Sequence, residues 1–253
     1  MSIDLRSASC AMRPSHKPGS SYRLGQTAPD VSFDLKRAVL HEISAVPGDS
    51  AAATGFCTAL ALSTTEPADP IVWVQDAGAR VEAGSLYGFG LSGLGLDPGR
   101  VTFISPRNVT DALRIGVEAA RSPAVGAVII ETMDKGQLID LTATRRLTLG
   151  SEKSHVTVFL LRVAGVAGPS AAWTRWRVGP AASRAPPGIR GPDTETLNAE
   201  IRAGPRFDIA LLRHRGGMSA ARWQVEWDCE QRAFAQTLHR PLVSLSVGGC
   251  LAA

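Results

Sequence analysis

Apolar positions along this chain fall into two styles, and the change between them divides it. In the first half, short runs are apolar almost without a break: residues 38 to 44 (AVLHEIS), 70 to 78 (PIVWVQDAG), 101 to 104 (VTFI), 124 to 132 (AVGAVIIET) and 155 to 163 (HVTVFLLRV). Runs of this length and composition predict strands buried on both faces. Between them lie helical patterns. Residues 50 to 64 (SAAATGFCTALALST) are small and helix-prone, and residues 82 to 95 put Leu86, Tyr87, Leu91 and Leu94 at helical spacing despite many glycines. Residues 108 to 122 are the clearest amphipathic helix, with Asn108 or Thr110 as cap and Leu113, Val117 and Ala120 on one face. Residues 141 to 154 predict a fourth helix with Arg145, Arg146 and Lys153 exposed. Strand and helix in alternation predict an α/β fold, a mostly parallel central sheet covered by helices. In the second half, residues 172 to 178, 206 to 217 and 222 to 229 alternate in polarity. That pattern predicts antiparallel strands with one wet face, added at the C-terminal side.

The flanks are different in kind. Residues 1 to 24 mix Ser, Pro, Gly, Arg and Lys without period and predict a flexible N-terminal arm. Residues 25 to 230 form the domain, opening on a lead-in loop and interrupted by a Pro/Gly/Arg-rich loop at 179 to 205. Residues 231 to 253 predict a weakly structured tail. Composition changes this picture little. At 253 residues, 44% hydrophobic and 20% charged, the chain is an ordinary soluble globular one, and a net charge of +4 is only mildly basic. The four cysteines are scattered and the five histidines show no metal spacing, which fits a reducing cytoplasm and predicts no metal site. There is no Gly-x-Ser-x-Gly elbow, no apolar run long enough to span a membrane and no secretion signal at the N-terminus.

The candidate chemistry lies at residues 38 to 56, AVLHEISAVPGDSAAATGF: a strand, a small-residue turn and the start of a helix. That layout cradles phosphate, because bare backbone N–H groups and a helix N-terminus face the anion. A working loop requires Gly-x-x-x-x-Gly-Lys-[Ser/Thr]. The matching frame here begins at Ala45, passes through Gly48 and Asp49, and sets Ser50 at the second Gly position. Ala51 stands at the Lys position and Ala52 at the hydroxyl position that ligates Mg²⁺. The charge-handling groups are methyls, and Asp49 adds negative charge where phosphates would lie. The layout predicts a nucleotide site without its chemistry, hence no ATP hydrolysis and no cofactor.

The order of motifs resembles the RecA recombinase core. The opening strand and loop, VWVQDAGARV, LYGFGLSGLGLDPGRVTFISP, and DALRIGVEAARSPAVGAVIIET follow its sequence of strands and helices, and IALLRHRGG resembles the strand near its end that carries paired basic residues. Closer still is the ImuA family, RecA-like accessory proteins of bacterial mutagenesis cassettes that are related to the division inhibitor SulA. GDSAAATGF, VWVQ, LYGFGLSGLGLDPGR, IDLTATRRL, PSAAWTRWRVGPAASR, LLRHRGG and WQVEWD all resemble ImuA motifs across about residues 22 to 230. Residues 1 to 21 depart from the helical Leu/Arg-rich start common in that family.

The resemblance implies a RecA-like P-loop core and a non-enzymatic accessory protein of the SOS response. Its partners would be an inactive Y-family polymerase homologue and an error-prone replicative-type polymerase, with RecA as a further candidate and direct DNA contact left open. Glu131 falls at the Walker B position as a relic acid, expected to cap the next turn. Asp76 falls beside the position of the catalytic Glu, Ala77, and is expected in a turn role. Arg213 and Arg215 match the paired basic residues that reach a neighbouring subunit; as alternate residues of one strand they are expected on one face, facing a partner or DNA. Trp173, Trp176, Trp223 and Trp227 are expected to be packed, the other reading being a stacking platform for single-stranded DNA beside Arg175, Arg177 and Arg222. His41, next to Glu42, is expected to be a packed or hydrogen-bonded residue. Two other functions remain open at this point: a SulA-like inhibitor of cell division, and an ATPase whose phosphate-binding residues lie elsewhere.

Overall fold

A computed structural model describes residues 21–23, 34–45, 48–134, 138–165, 168–182 and 204–236. The expected N-terminal arm and the Pro/Gly/Arg-rich loop fall mostly outside these residues. A two-stranded antiparallel ribbon, β1 (Ser21–Arg23) and β2 (Asp34–Lys36), leads in. Then follow β3 (Leu40–Ala45), α1 (Ser50–Thr64), β4 (Ile71–Gln75), α2 (Ala77–Ala83), α3 (Gly88–Gly93) and β5 (Val101–Ile104). After these come α4 (Val109–Ala120), β6 (Ala127–Asp134), α5 (Leu141–Ser154) and β7 (Thr157–Gly165). The chain closes with β8 (Thr174–Pro180), β9 (Arg206–His214), β10 (Ala221–Asp228) and β11 (Ala233–Gln236).

Strands β3 to β11 form one nine-stranded sheet in the order β11-β10-β9-β8-β3-β7-β6-β4-β5. From β5 across to β8 every pairing is parallel; from β8 to β11 every pairing is antiparallel. The fold is thus mixed α/β, a mostly parallel central sheet with antiparallel strands at one side and helices around it. The expectation for residues 172 to 178 needs a correction here. β8 is parallel to β3 on one edge and antiparallel to β9 on the other, so it is the strand at which the two halves join.

The period-two alternation of side chains sends each strand's residues to two separate cores. One core packs α1 and Leu91 of α3 on Ile43, Trp73, Ile129, Phe159, Trp176 and Ile209. The other packs α4 and α5 on Leu40, Val74, Val128, Ile130, Val158 and Leu160. Helix α4 lies close on the sheet because residue 116 is glycine: a Cβ there would stand 2.2 Å from Ile130 Cδ1.

Local signals fixed several boundaries. Asn108 caps α4, its Oδ1 accepting from the Asp111 N–H at 2.8 Å, and Asp140 caps α5 in the same way at Ala143, at 2.7 Å. The helix expected at 82 to 95 is instead two short helices. Gly84, at φ +80° and ψ −178°, takes a backbone conformation open to glycine and ends α2. Of the expected tail, residues 233 to 236 form the edge strand β11, whose Phe234 is buried against Trp227 and Phe56, and residues 237 to 253 lie outside the described residues.

Candidate functional site

The loop at residues 45 to 52 lies between β3, which is flanked by β7 and β8, and the first turn of α1. Gly48 holds φ +83°, and Asp49 precedes the helix without capping it through its side chain. Residues 46 and 47 are outside the described residues. Ala51 is exposed and Ala52 half-buried, and neither side chain offers a charge or a hydroxyl. Asp49 shares a shallow cavity of about 540 Å³ with Arg177, Gly179, Pro180, Asp208, Ala210 and Arg222. Arg222 Nε donates to Asp208 at 2.6 Å, so much of the cationic charge in this cavity is already matched. What remains for an anion is the helix N-terminus and Arg177, opposed by the Asp49 carboxylate.

Glu131 is not at a strand end. Strand β6 runs three residues beyond it, and its carboxylate is buried within the sheet. The Trp73 indole N–H donates to its Oε2 at 3.0 Å. Burial pushes the Glu131 carboxyl up to about 7; hydrogen bonds from Trp73 and Gln75 offset part of this, and the nearby Asp76 charge adds to it. A carboxyl near half-protonation at neutral pH and bonded to an indole is a poor cation ligand. The expected capping of the next turn is done by another residue: Asp134 Oδ2 accepts from the Ile139 N–H at 2.8 Å. Asp76 does take a turn role. Its Oδ1 accepts from the N–H groups of Gly78 and Ala79, and its Oδ2 accepts from Met133.

On the opposite face of the sheet lies an ionic network that the sequence did not announce. Arg162 Nη1 stands 3.4 Å from Glu42 Oε1, Arg162 Nη2 3.8 Å from Asp134, and Arg175 Nη2 3.1 Å from Glu42. Arg162, Glu42 and Asp134 are all nearly fully buried. Among the described residues two cations meet two carboxylates, which is how buried charge is tolerated. The available signal was the charge itself: an Arg inside the apolar run VTVFLLRV requires a buried acid. His41 is packed as expected. Its Nδ1 bonds the Thr174 hydroxyl at 2.7 Å, its Nε2 donates to the Lys36 carbonyl at 2.8 Å, and its ring stacks on Phe159. Burial lowers its pKa to about 4.

Arg213 and Arg215 do not share a strand face. β9 ends at His214, so Arg215 lies in the following turn. Arg213 Nη1 donates to the Ser170 carbonyl at 3.0 Å, while the Arg215 guanidinium lies 6.0 Å from the Trp173 ring centre. Trp176, Trp223 and Trp227 are buried in the core beneath α1, leaving no stacking platform among them; Trp173, ahead of β8, is half-buried against Lys36 and His214. Among the described residues no group of three His, Cys, Asp or Glu side chains could hold a metal ion. No described helix is long and apolar enough to cross a membrane.

No protein-family model matches the chain. It is 30% identical over 179 residues to Protein ImuA of Caulobacter vibrioides strain NA1000 / CB15N, and equally to Protein ImuA of strain ATCC 19089 / CIP 103742 / CB 15. In each case the match covers 66% of this chain and 65% of the relative, so the chain spans about two thirds of the length of these relatives. Among solved structures it is similar to SulA from Pseudomonas aeruginosa, at a TM-score of 0.38 and 14% identity, over 49% of this chain and 97% of that one. On the match to Protein ImuA, the chain belongs to the ImuA family.

Proposed function

We propose that the protein is a non-catalytic scaffold on a RecA-like body, acting in DNA damage-induced mutagenesis by contact with other proteins of a translesion-synthesis cassette. The observation that carries this reading is the pair Ala51 and Ala52 at the first turn of α1, where the phosphate-gripping ammonium and the Mg²⁺-ligating hydroxyl would have to be. The setting supports it. β3 has its parallel partners β7 and β8 on its two sides, and open α/β sheets bind ligands at the carboxyl ends of strands at such a switch point. The layout persists while its chemistry is gone, and Glu131, the relic acid, is engaged with Trp73. The name shared by the relatives supports the pathway. The partners, on this reading, are an inactive Y-family polymerase homologue and an error-prone replicative-type polymerase in the bacterial cytoplasm. Arg213 and Arg215 are available as separate contact points rather than as one pair.

The test is Ala51→Glu, an exposed change that puts a second carboxylate at the cradle and suits a helix N-terminus. In a strain carrying the variant in place of the natural gene, damage-induced mutation frequency stays at the parental level, while deletion of the gene lowers it. Isothermal titration of the purified parent with ATP and Mg²⁺ gives no heat of binding. A variant that behaves like the deletion, or micromolar ATP affinity in the parent, overturns the reading.

A further inference from the structure

Helices α4 and α5 cover one face of the sheet, and their own outer surface is not smooth. The two helices touch where Gly150 meets Ala120 and the Val117 carbonyl. Along this seam run two cavities of about 640 and 620 Å³. Arg121 and Arg146 line both, so the two adjoin along the seam as a groove. Leu113 and Val117 contribute apolar surface to it among polar side chains. Each end carries an exposed leucine, Leu138 at 52% and Leu149 at 57%. Two exposed leucines beside the apolar surface of Leu113 and Val117, with nothing described lying over them, mark a surface that gains by being covered.

Charge selects what covers it. The cavities are lined by four cations, Arg114, Arg121, Arg146 and Lys153, against two acids, Glu118 and Asp140. Arg114 and Arg121 are matched within α4, by Asp111 at 3.5 Å and Glu118 at 2.8 Å. Asp140 is committed to capping α5. Arg146, where the two cavities adjoin, and Lys153, in one of them, are left facing the groove without a carboxylate among the described residues. Leu138 precedes α5 and Leu149 lies in its third turn, so a helical ligand laid along α5 would meet both with side chains on one stripe.

We infer that the α4–α5 groove docks an acidic amphipathic helix of a partner protein, with apolar anchors seated at Leu138 and Leu149 and carboxylates meeting Arg146 and Lys153. This deepens the contact reading above and rests on it. A basic helix would be repelled by Arg146 and Lys153.

The probe is a fluorescein-labelled synthetic helix of about 15 residues, with Leu at successive third and fourth positions, Glu flanking them and Ala elsewhere. Anisotropy is read against the full chain at low and high salt. The expected result is binding at least about tenfold tighter than a scrambled peptide of the same composition, weakened by salt. Arg146→Glu with Lys153→Glu weakens it about tenfold, and Leu138→Ala with Leu149→Ala by a similar factor. All four side chains are exposed, so circular dichroism and melting of the variants match the parent. Equal binding of the scrambled peptide, preference for a Lys-for-Glu version, or indifference to these substitutions overturns the inference. So does light scattering that shows a dimer abolished by Leu149→Glu, because a second copy then fills the groove. The nucleotide titration above does not depend on this outcome, so either reading can fail while the other stands.

Discussion

Glu131→Gln removes one negative charge from the core without changing shape, and its effect can be worked out beforehand. The carboxyl titrates near 4.5 when free and at about 7 in the folded chain. At 1.36 kcal/mol per unit, ionising it in place costs about 3 kcal/mol. The sign follows from proton counting. Below the ordinary value both states hold the proton, and the carboxyl costs nothing. Between the two values the folded state keeps a proton that the unfolded state releases, so stability falls as pH rises, and above about 7 the full cost is present. The glutamine variant would have no such dependence. Its new side-chain carbonyl can accept from Trp73, and its amide can face Gln75 Oε1, which has no partner. The stability of the variant minus that of the parent should therefore be close to zero near pH 4.5 and reach about 3 kcal/mol by pH 8. The difference must be used rather than the parent curve alone. His41 titrates in the opposite sense over much of the same range and masks the slope. Urea unfolding followed by tryptophan fluorescence at closely spaced pH values provides both curves. A difference that stays constant from acid to neutral pH would refute the reasoning, because it would mean that burial does not hold the proton on Glu131.

Two further expectations concern His41 in the central strand and the ionic network on the other face. His41 is held neutral, its pKa lowered from 6.5 to about 4 by burial, so its contribution to stability is complete above the ordinary value and is lost as pH falls toward 4. The Cε1–H resonance of this ring should titrate near 4 in a pH series by NMR; a midpoint near 6.5 would mean that the ring is open to water. Arg162→Ala removes a cation from both Asp134 and Glu42 in the core, and should cost about 3 to 5 kcal/mol by urea unfolding. A loss below about 1 kcal/mol, the range of an exposed pair, would show that this network is wet.

What could be recognised locally was recognised. α1, α4 and α5 lie where small-residue content, amphipathic period and Asx caps put them, and β5, β6 and β7 follow their apolar runs to within a few residues. Misses came where one residue's backbone or strand count overruled the pattern. Leu86 to Leu94 keep helical spacing, yet Gly84 breaks the chain ahead of them and α3 is barely two turns long. Arg213 and Arg215 alternate as a strand would, but β9 stops between them. Phe234 sits in a weakly patterned tail and still completes a strand, because Trp227 and Phe56 offer it a place.

The amino-acid order alone settled that this is an α/β chain, that its first loop lacks an ammonium and a hydroxyl, and that the chain resembles the ImuA family. Those depend on residue identity and on spacings of a few positions, which act through short-range sterics and hydrogen bonds. The fold alone decided that β8 joins a parallel sheet to an antiparallel one, that Glu131 answers to Trp73, and that Glu42 answers to Arg162 and Arg175. It also decided that α4 and α5 leave a cationic, leucine-ended groove between them. Each of those joins residues tens of positions apart or more, and which buried charge meets which partner is set by strand order, something no local pattern carries.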